Sequence, residues 1–355
     1  MNAPATPSLL CYCRTGFEPE LAAELTDHAA EAGLSGYARA NRDDGFVLFH
    51  ATEPDAPLSQ AMPWRSLVFA RQKMRLIADL AELDPSDRVS PVMEALGGQG
   101  RFGDLWMEHP DSDAGKPLSG LARAFGNALR PALRKRGFLT DAVDANRPRL
   151  HVCLLAGNHL LLGRSDPNDS AGWPQGIPRL RLHADAPSRS ALKLEEALLA
   201  LLTPRERETL LKPGMRAADL GAAPGGWTWV LTRQHMYVSA IDNGPLQPAL
   251  HDTGLVDHQR ADGFRWQPDR TLDWMVCDMV EQPRRVAERM ATWFREGWCR
   301  HAIFNLKLPM KKRWQEARSS LDLFAEQADG LATLRARQLY HDREEITVFA
   351  SAPPR

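Results

Sequence analysis

Cysteine is scarce in this sequence: five in 355 residues (Cys11, Cys13, Cys153, Cys277 and Cys299), an odd, scattered set with no C-x-x-C pair. That argues against a disulfide framework or a cysteine zinc site and fits free thiols in a reducing compartment. Long apolar runs are missing too, since no stretch approaches the ~18 residues of a membrane span. The opening MNAPATPSLLCYC has no basic stretch ahead of its short apolar run, which argues against a secretory leader. The expectation is a cytoplasmic protein. There is no internal repeat and no low-complexity tract, and the eleven histidines show no metal-ligand spacing. Net charge is nearly absent: 44 Lys and Arg against 45 Asp and Glu leave −1. What remains is ordinary globular material, 43% hydrophobic and 25% charged. At about 150 residues per domain the length suggests two to three domains.

The neutral total hides two basic blocks. Residues 116–150 hold eight basic side chains against two acidic ones, and residues 307–318 hold five against one. Such blocks are a footprint for phosphates, although charge alone fits a solvated helix face equally well.

Up to about residue 165 the chain reads as one or two small α+β modules. LLCYC, GFVLFH and GDLWMEH read as strands, and FEPELAAELTDHAAEAG reads as a helix ending at Gly33. SGLARAFGNALRPALRKRG reads as a basic helix that Pro131 should kink or break. RLHVCLLAGNHLLLGRS reads as two strands around a Gly-Asn turn. A stretch rich in Pro, Ser, Asp and Gly follows, with the composition of a linker or an ordered crossing between domains. ALKLEEALLALL then reads as a helix, and Thr203-Pro204-Arg205-Glu206 as a capping box opening another. Beyond Gly214, apolar strands (MRAADL, MYVSAID, LDWMVCDM, CRHAIFNLKL) alternate with helical stretches, and EITVFAS closes the series. That alternation predicts an α/β, Rossmann-like, mainly parallel sheet, with EITVFAS antiparallel at its edge.

DLGAAPGGWT, residues 219–228, is a glycine-rich turn between a strand and a helix, which brings backbone and helix N–H groups close to a ligand. Its glycines fall at 221, 225 and 226, so it is not G-x-G-x-x-G, and no Lys-Ser/Thr follows. A dinucleotide or P-loop reading weakens on that spacing, and a nucleotide-dependent dehydrogenase fails on it. Asp242 ends the following strand, 23 residues after Asp219, where a carboxylate can hold both hydroxyls of a ribose. Asp262, in ADGF, is placed to accept from an exocyclic amine, and Asp278 closes the next strand at the ligand edge of the sheet. Each aspartate alone is an ordinary cap or turn residue; the three behind one glycine loop form a set. Cys277 lies one residue before Asp278, so it points to the opposite face and reads as a small buried side chain, not a nucleophile.

This set resembles class I methyltransferases that use S-adenosylmethionine. The resemblance implies that the glycine loop holds the methionine part, Asp242 the ribose and Asp262 the adenine. Asp278-Met279-Val280-Glu281 is not the D-P-P-Y-like run of amino-group methyltransferases. Lys193, Asp278, Lys307 and Glu345 instead match, in type and order, the K-D-K-E tetrad of FtsJ-like ribose 2′-O-methyltransferases. A ribose 2′-hydroxyl is a very weak acid, so a base must take its proton as the carbon–oxygen bond forms. The resemblance implies Lys307 as that base, with Lys193, Asp278 and Glu345 orienting hydroxyl and lysine. Metal is not called for.

ADAPSRSALKLEEA, DLGAAPGGWT, DNGP, HDTG, WMVCDMVEQP, FNLKLPMKKRW and RQLYHDREE together resemble the ribosomal RNA large subunit methyltransferase M family across most of residues 165–350. The family methylates a cytidine ribose in 23S ribosomal RNA. The resemblance implies a monomer that needs no membrane, with a ferredoxin-like segment at 1–60 and a THUMP-like RNA-binding domain at 61–165. A linker at 166–189 and a Rossmann-like methyltransferase domain at 190–355 complete the expected order. It also places Ser190 with Ala223, Pro224, Gly225 and Gly226 in the cofactor site; the first of the loop residues is cysteine in many members, a change that leaves backbone contacts intact. On charge, Lys311, Lys312 and Arg313 are candidates for phosphates beside the target ribose, and Arg130, Arg134, Lys135 and Arg136 for phosphates on the N-terminal part. Trp227 and Trp229 read as helix-packing residues and Trp314 as a candidate for base stacking. The alternative is a non-catalytic RNA-binding protein on the same fold, against which the complete tetrad argues.

Overall fold

The computed structural model describes residues 6–353, so the very start of MNAPATPSLLCYC lies outside the described residues. The chain divides into two compact units, residues 1–177 and 178–355.

The first unit runs β1 (Ser8–Tyr12), α1 (Glu18–Glu31), β2 (Gly36–Arg39), β3 (Phe46–Ala51), α2 (Leu58–Ala61), β4 (Gln72–Leu80), α3 (Val89–Ala95), β5 (Asp104–Glu108), α4 (Ser119–Lys135), β6 (Arg149–Ala156) and β7 (His159–Ser165). All seven strands belong to one sheet in the order β2-β3-β1-β4-β7-β6-β5, antiparallel except for β5 beside β6. The expected 1–60 and 61–165 segments therefore share a sheet. β4 joins them, pairing with β1 on one side and β7 on the other. The first part of the expected 166–189 linker is ordered on this unit: Asp169 pairs with buried Lys73, and the Ala171 N–H donates to Gln72 Oε1 at 2.9 Å. Pro131 does not break α4, which continues to Lys135. The proline sits on the exposed side, where water can reach the carbonyl its missing N–H leaves unpaired.

The second unit runs α5 (Ala191–Ala200), α6 (Pro204–Leu210), β8 (Arg216–Leu220), α7 (Gly226–Arg233), β9 (Tyr237–Ile241), β10 (Val256–Gln259), β11 (Leu272–Cys277), α8 (Pro283–Arg295), β12 (Cys299–Lys307), α9 (Arg313–Ala328), β13 (Thr333–Arg337) and β14 (Glu345–Ser351). The capping box forms as read, with Thr203 and Glu206 each bonding the other's backbone N–H. Strand order is β10-β9-β8-β11-β12-β14-β13. The first five run parallel and β14 is antiparallel to both its neighbours. β14 pairs antiparallel with β12 at the edge of the parallel strands, as expected for EITVFAS, and β13 covers its other side. The order reverses between β8 and β11, which opens a crevice at their carboxyl ends, where sheets of this kind bind ligands. Trp227, Trp229, Trp274 and Phe349 pack in the core on one face of this sheet, as expected of the two α7 tryptophans.

Candidate active site

The loop from β8 to α7 is held from three sides. Gly221 and Gly225 adopt positive φ, 81° and 113°, which other residues resist. Gly226 is glycine for space: a Cβ there would lie 2.3 Å from Ser190 Oγ and 2.5 Å from Ser188 Oγ. The Thr228 hydroxyl donates to Asp219 Oδ2 at 2.7 Å, tying the first turn of α7 to β8. The Ala223–Pro224 bond is cis. Asp242, just beyond β9, accepts from the Ala223 N–H at 3.0 Å and from the Gly244 N–H at 2.7 Å.

These elements enclose a cavity of about 300 Å³ lined by Ser188, Ser190, Asp219, Gly221, Ala222, Ala223, Pro224, Trp227 and Asp278. Of the residues singled out from the sequence, Ser190, Ala223, Pro224 and Asp278 line it. Gly226 and Asp242 lie behind that lining, in contact with residues that form it. Asp262 stands in the loop after β10, half exposed, where Oδ1 accepts from the Phe264 N–H at 2.9 Å. Ser188, Asp219 and Trp227 were not read as site residues. Asp219 is fully buried, and burial lifts its carboxyl to about 7.

The four charged residues meet at the cavity's edge. Pairing of β12 with β14 sets Lys307 directly opposite Glu345. Lys307 Nζ bonds Glu345 Oε2 and, at 2.7 Å, Asp278 Oδ1. Lys193, on α5, reaches the same two carboxylates from the other side, at 2.5 Å to Glu345 Oε1 and 3.3 Å to Asp278 Oδ2. The result is a closed ring of two ammonium and two carboxylate groups. Their side chains are 17% (Lys193), 18% (Asp278), 26% (Lys307) and 5% (Glu345) exposed, so the ring is shielded yet open to solvent. Burial penalises the Asp278 carboxylate, but Lys307 and Lys193 outweigh it and hold the pKa below the usual range. Burial likewise penalises the Lys307 ammonium, but Asp278 and Glu345 outweigh it and raise its pKa.

Two further residues complete the ring's surroundings, and sequence reasoning missed both. Asn305 Nδ2 donates to Asp278 Oδ1 at 2.9 Å, and the Thr347 hydroxyl lies 2.8 Å from Asn305 Oδ1. The available signal was a polar residue within each of the apolar strands IFNLKL and EITVFAS.

Cys277 is buried against Asp278's far side, and burial pushes its thiol to about 12, as befits a packing residue. Among the candidate phosphate ligands, Lys135, Arg136, Lys311 and Lys312 are exposed. Arg134 is exposed too, with Nε donating to the Thr140 carbonyl at 3.3 Å. Two are engaged otherwise: Arg313 pairs with Glu344 at 2.7 Å, and Arg130 binds Asp104 at 3.2 Å and the Leu105 carbonyl at 2.7 Å. Trp314 is buried in the first turn of α9, so it offers no stacking platform.

A parallel sheet with a reversed strand order, a glycine-rich turn over a cavity and a charged ring at its rim define a class I methyltransferase. Residues 186–328 match the FtsJ-like methyltransferase family, residues 6–74 the RlmM ferredoxin-like domain, and residues 87–166 the N-terminal domain of ribosomal RNA large subunit methyltransferase M. The chain is 70% identical over 342 residues to the ribosomal RNA large subunit methyltransferase M of Xanthomonas campestris pv. campestris (strain B100), covering 96% of this chain and 98% of that one. It is 69% identical over 342 residues to the enzyme of the same name from Xanthomonas axonopodis pv. citri (strain 306), again covering 96% and 98%. Over 352 residues it is 69% identical to that of Stenotrophomonas maltophilia (strain R551-3), covering 98% of this chain and 99% of the relative. The chain belongs to the ribosomal RNA large subunit methyltransferase M family.

Proposed function

We propose that this chain transfers a methyl group from S-adenosylmethionine to the 2′-hydroxyl of a cytidine in 23S ribosomal RNA, with Lys307 as the base. One observation carries the reading: the ring of Lys193, Asp278, Lys307 and Glu345 stands at the rim of a cavity that the glycine loop shapes. Relatives at about 70% identity bear the name of a large-subunit ribosomal RNA methyltransferase.

The cavity fits the cofactor. Its volume is at the low end for small-molecule sites, and the carboxylate of Asp278 faces it, as suits a cationic ligand. Ser190 and the backbone of Ala223 and Pro224 hold the methionine part against Gly225 and Gly226. Asp242 has spent one lone pair of each oxygen on backbone N–H groups, which fixes the carboxylate and leaves two positions for ribose hydroxyls. Asp262 takes the adenine amine. S-adenosylmethionine supplies an electrophilic methyl group on a sulfonium.

The chain's own residues manage the proton. In the resting ring the ammonium form of Lys307 is favoured, so Lys307 must first lose a proton to solvent, which its partial exposure permits. Neutral Lys307 then accepts the proton of the 2′-hydroxyl as the oxygen attacks. Lys193 lies between Asp278 and Glu345 and orients both carboxylates. Exposed Lys311 and Lys312 hold phosphates beside the target, and exposed Arg134, Lys135 and Arg136 do so on the N-terminal unit, which acts as a THUMP-like RNA-binding module. Arg313 and Arg130 reach RNA only by leaving their acidic partners. The enzyme acts as a cytoplasmic monomer; no helix among the described residues is long and apolar enough to cross a membrane.

The test is labelled-methyl transfer from S-adenosylmethionine to unmodified large-subunit RNA, followed by digestion to nucleosides. A 2′-O-methylcytidine product bears the reading out. Label on a base overturns the ribose assignment.

A further inference from the structure

The carboxyl edge of the second sheet carries an apolar feature that neither the ring nor the cofactor cavity uses. Val280 is 88% exposed and Met310 73%, the two most exposed large apolar side chains among the described residues. Single exposed apolar residues are ordinary, but both of these stand beside the ring. Val280 lies two residues after Asp278, in the loop from β11 to α8, and Met310 three residues after Lys307, in the loop from β12 to α9. β11 and β12 are parallel neighbours, with Cys277 beside Phe304, so the two loops leave the sheet side by side.

Neither tip is exposed because its loop is loose. Met279, just before Val280, packs on two glycines: a Cβ on Gly221 would come within 2.7 Å of its Cγ, and one on Gly263 within 2.9 Å of its Sδ. Glu281, just after, accepts from Arg285 at 2.7 Å and from the Gln282 N–H at 2.8 Å. In the other loop Leu308 is buried and its N–H donates to the Glu344 carbonyl at 2.7 Å. Arg313 Nε donates to Glu344 Oε2, also at 2.7 Å. Arg284 and Glu316, 3.5 Å apart, join the first turns of α8 and α9. Two anchored loops thus hold apolar tips in water next to a reaction centre, the kind of surface that an interaction covers.

The charge around the tips points to the partner. Lys311 and Lys312 follow Met310 and are exposed, while the nearby acids Glu281, Glu316 and Glu344 already face arginines. Free cations beside apolar surface suit a nucleic-acid strand, with phosphates for the first and bases for the second. The ring itself is recessed, its four side chains 26% exposed or less. A ribose whose 2′-hydroxyl reaches Lys307 has to turn out of its stacked strand, and the base on the adjoining carbon then lies at the rim. We propose that Val280 and Met310 pack against the base of the turned-out target nucleotide and so hold its ribose at Lys307. The proposal rests on the reading of the ring as the methyl-transfer site. Exposed aromatic rings do not compete for the role: among the described residues, Tyr37 lies in the first unit and Tyr237 at the amino end of β9. Apolar contact is open to the face of any base, so the pair sets position and not base identity.

The experiment uses the full chain and unmodified large-subunit RNA. Val280→Ser combined with Met310→Ser removes both apolar tips at exposed positions, where folding does not depend on them. Its kcat/KM for RNA falls about 10-fold, the scale of one lost base contact. Affinity for S-adenosylmethionine, the melting temperature and the slope of log RNA affinity against log salt keep their wild-type values. Val280→Ile combined with Met310→Leu, which keeps the tips apolar, retains the wild-type rate. Wild-type kcat/KM in the serine variant, or an equal loss of S-adenosylmethionine affinity, overturns the proposal. A photocrosslink needs no turnover. A diazirine amino acid in place of Met310 tags the nucleotide that wild type methylates, and the same group in place of Leu331, exposed beyond the far end of α9, does not. Tagging elsewhere, or none, contradicts the proposal. If wild type proves to methylate a base, the ribose reading fails, and the tag at position 310 still decides whether the tips meet the target.

Discussion

Each unit buries a chain of polar side chains whose geometry satisfies acid–base chemistry, and the comparison separates scaffold from site. In the N-terminal unit, Ser165 Oγ lies 2.8 Å from His151 Nε2, and His151 Nδ1 lies 2.9 Å from Glu108 Oε2. That is the spacing of a serine–histidine–carboxylate triad. Yet all three are 2% exposed or less, Tyr12 donates to Glu108 Oε2 at 3.0 Å, and the Gln175 N–H donates to Glu108 Oε1 at 2.6 Å. Glu108 already serves three donors, and the serine has no path to a substrate. The group stitches β1, β5, β6 and β7 to the segment after β7. In the C-terminal unit the ring is equally well paired, but Lys307 meets solvent and Asp278 lines a cavity. Hydrogen-bond geometry is common to both; access and an adjoining ligand-sized space distinguish them.

The largest expected effect sharpens the chemistry of the ring. Because the Lys307 ammonium is favoured at rest, its neutral fraction rises tenfold per pH unit. The single-turnover transfer rate should climb about 100-fold from pH 6 to 8 if Lys307 is the base. A flat profile would leave Lys307 an orienting ammonium. Next, Gly226→Ala forces Ser190 and Ser188 away from the loop, and calorimetry should register S-adenosylmethionine binding weaker by about 30-fold, ~2 kcal/mol. On the scaffold side, His151→Ala removes a buried, hydrogen-bonded partner of Glu108. Denaturant melts should show the N-terminal unit destabilised by about 3 kcal/mol. The smallest effect is at the surface: Lys311→Ala with Lys312→Ala should lower the slope of log affinity for RNA against log salt by about 1.4, the single-strand value for two phosphates.

Legibility followed locality. The glycine loop and the parallel strands are local patterns with direct physical signatures, and both form where read, while Asp242 follows β9 and bonds the Ala223 and Gly244 N–H groups. The ring is not local: its members span residues 193 to 345, and only their order and type marked them out. β4 went unread because QKMRLIADL carries charges; the structure buries Lys73 by giving it Asp169, some hundred residues away. β13, TLRAR, is polar and hides β14 from the edge; Arg335 pays for its place in it by pairing with Glu206. Asn305 and Thr347 are fixed by register across β12 and β14, which sequence alone does not supply. Arg130 and Arg313 misled because charge reads the same whether it meets phosphate or a neighbouring carboxylate.

The most direct test sets the two polar groups against each other: single-turnover methyl transfer to saturating large-subunit RNA by Lys307→Ala and by His151→Ala, both with folding and cofactor binding checked. The account predicts that Lys307→Ala loses about 10³-fold or more of the rate with S-adenosylmethionine binding retained. It predicts that folded His151→Ala transfers at the wild-type rate. Wild-type transfer by Lys307→Ala, or loss of transfer in folded His151→Ala, would contradict it.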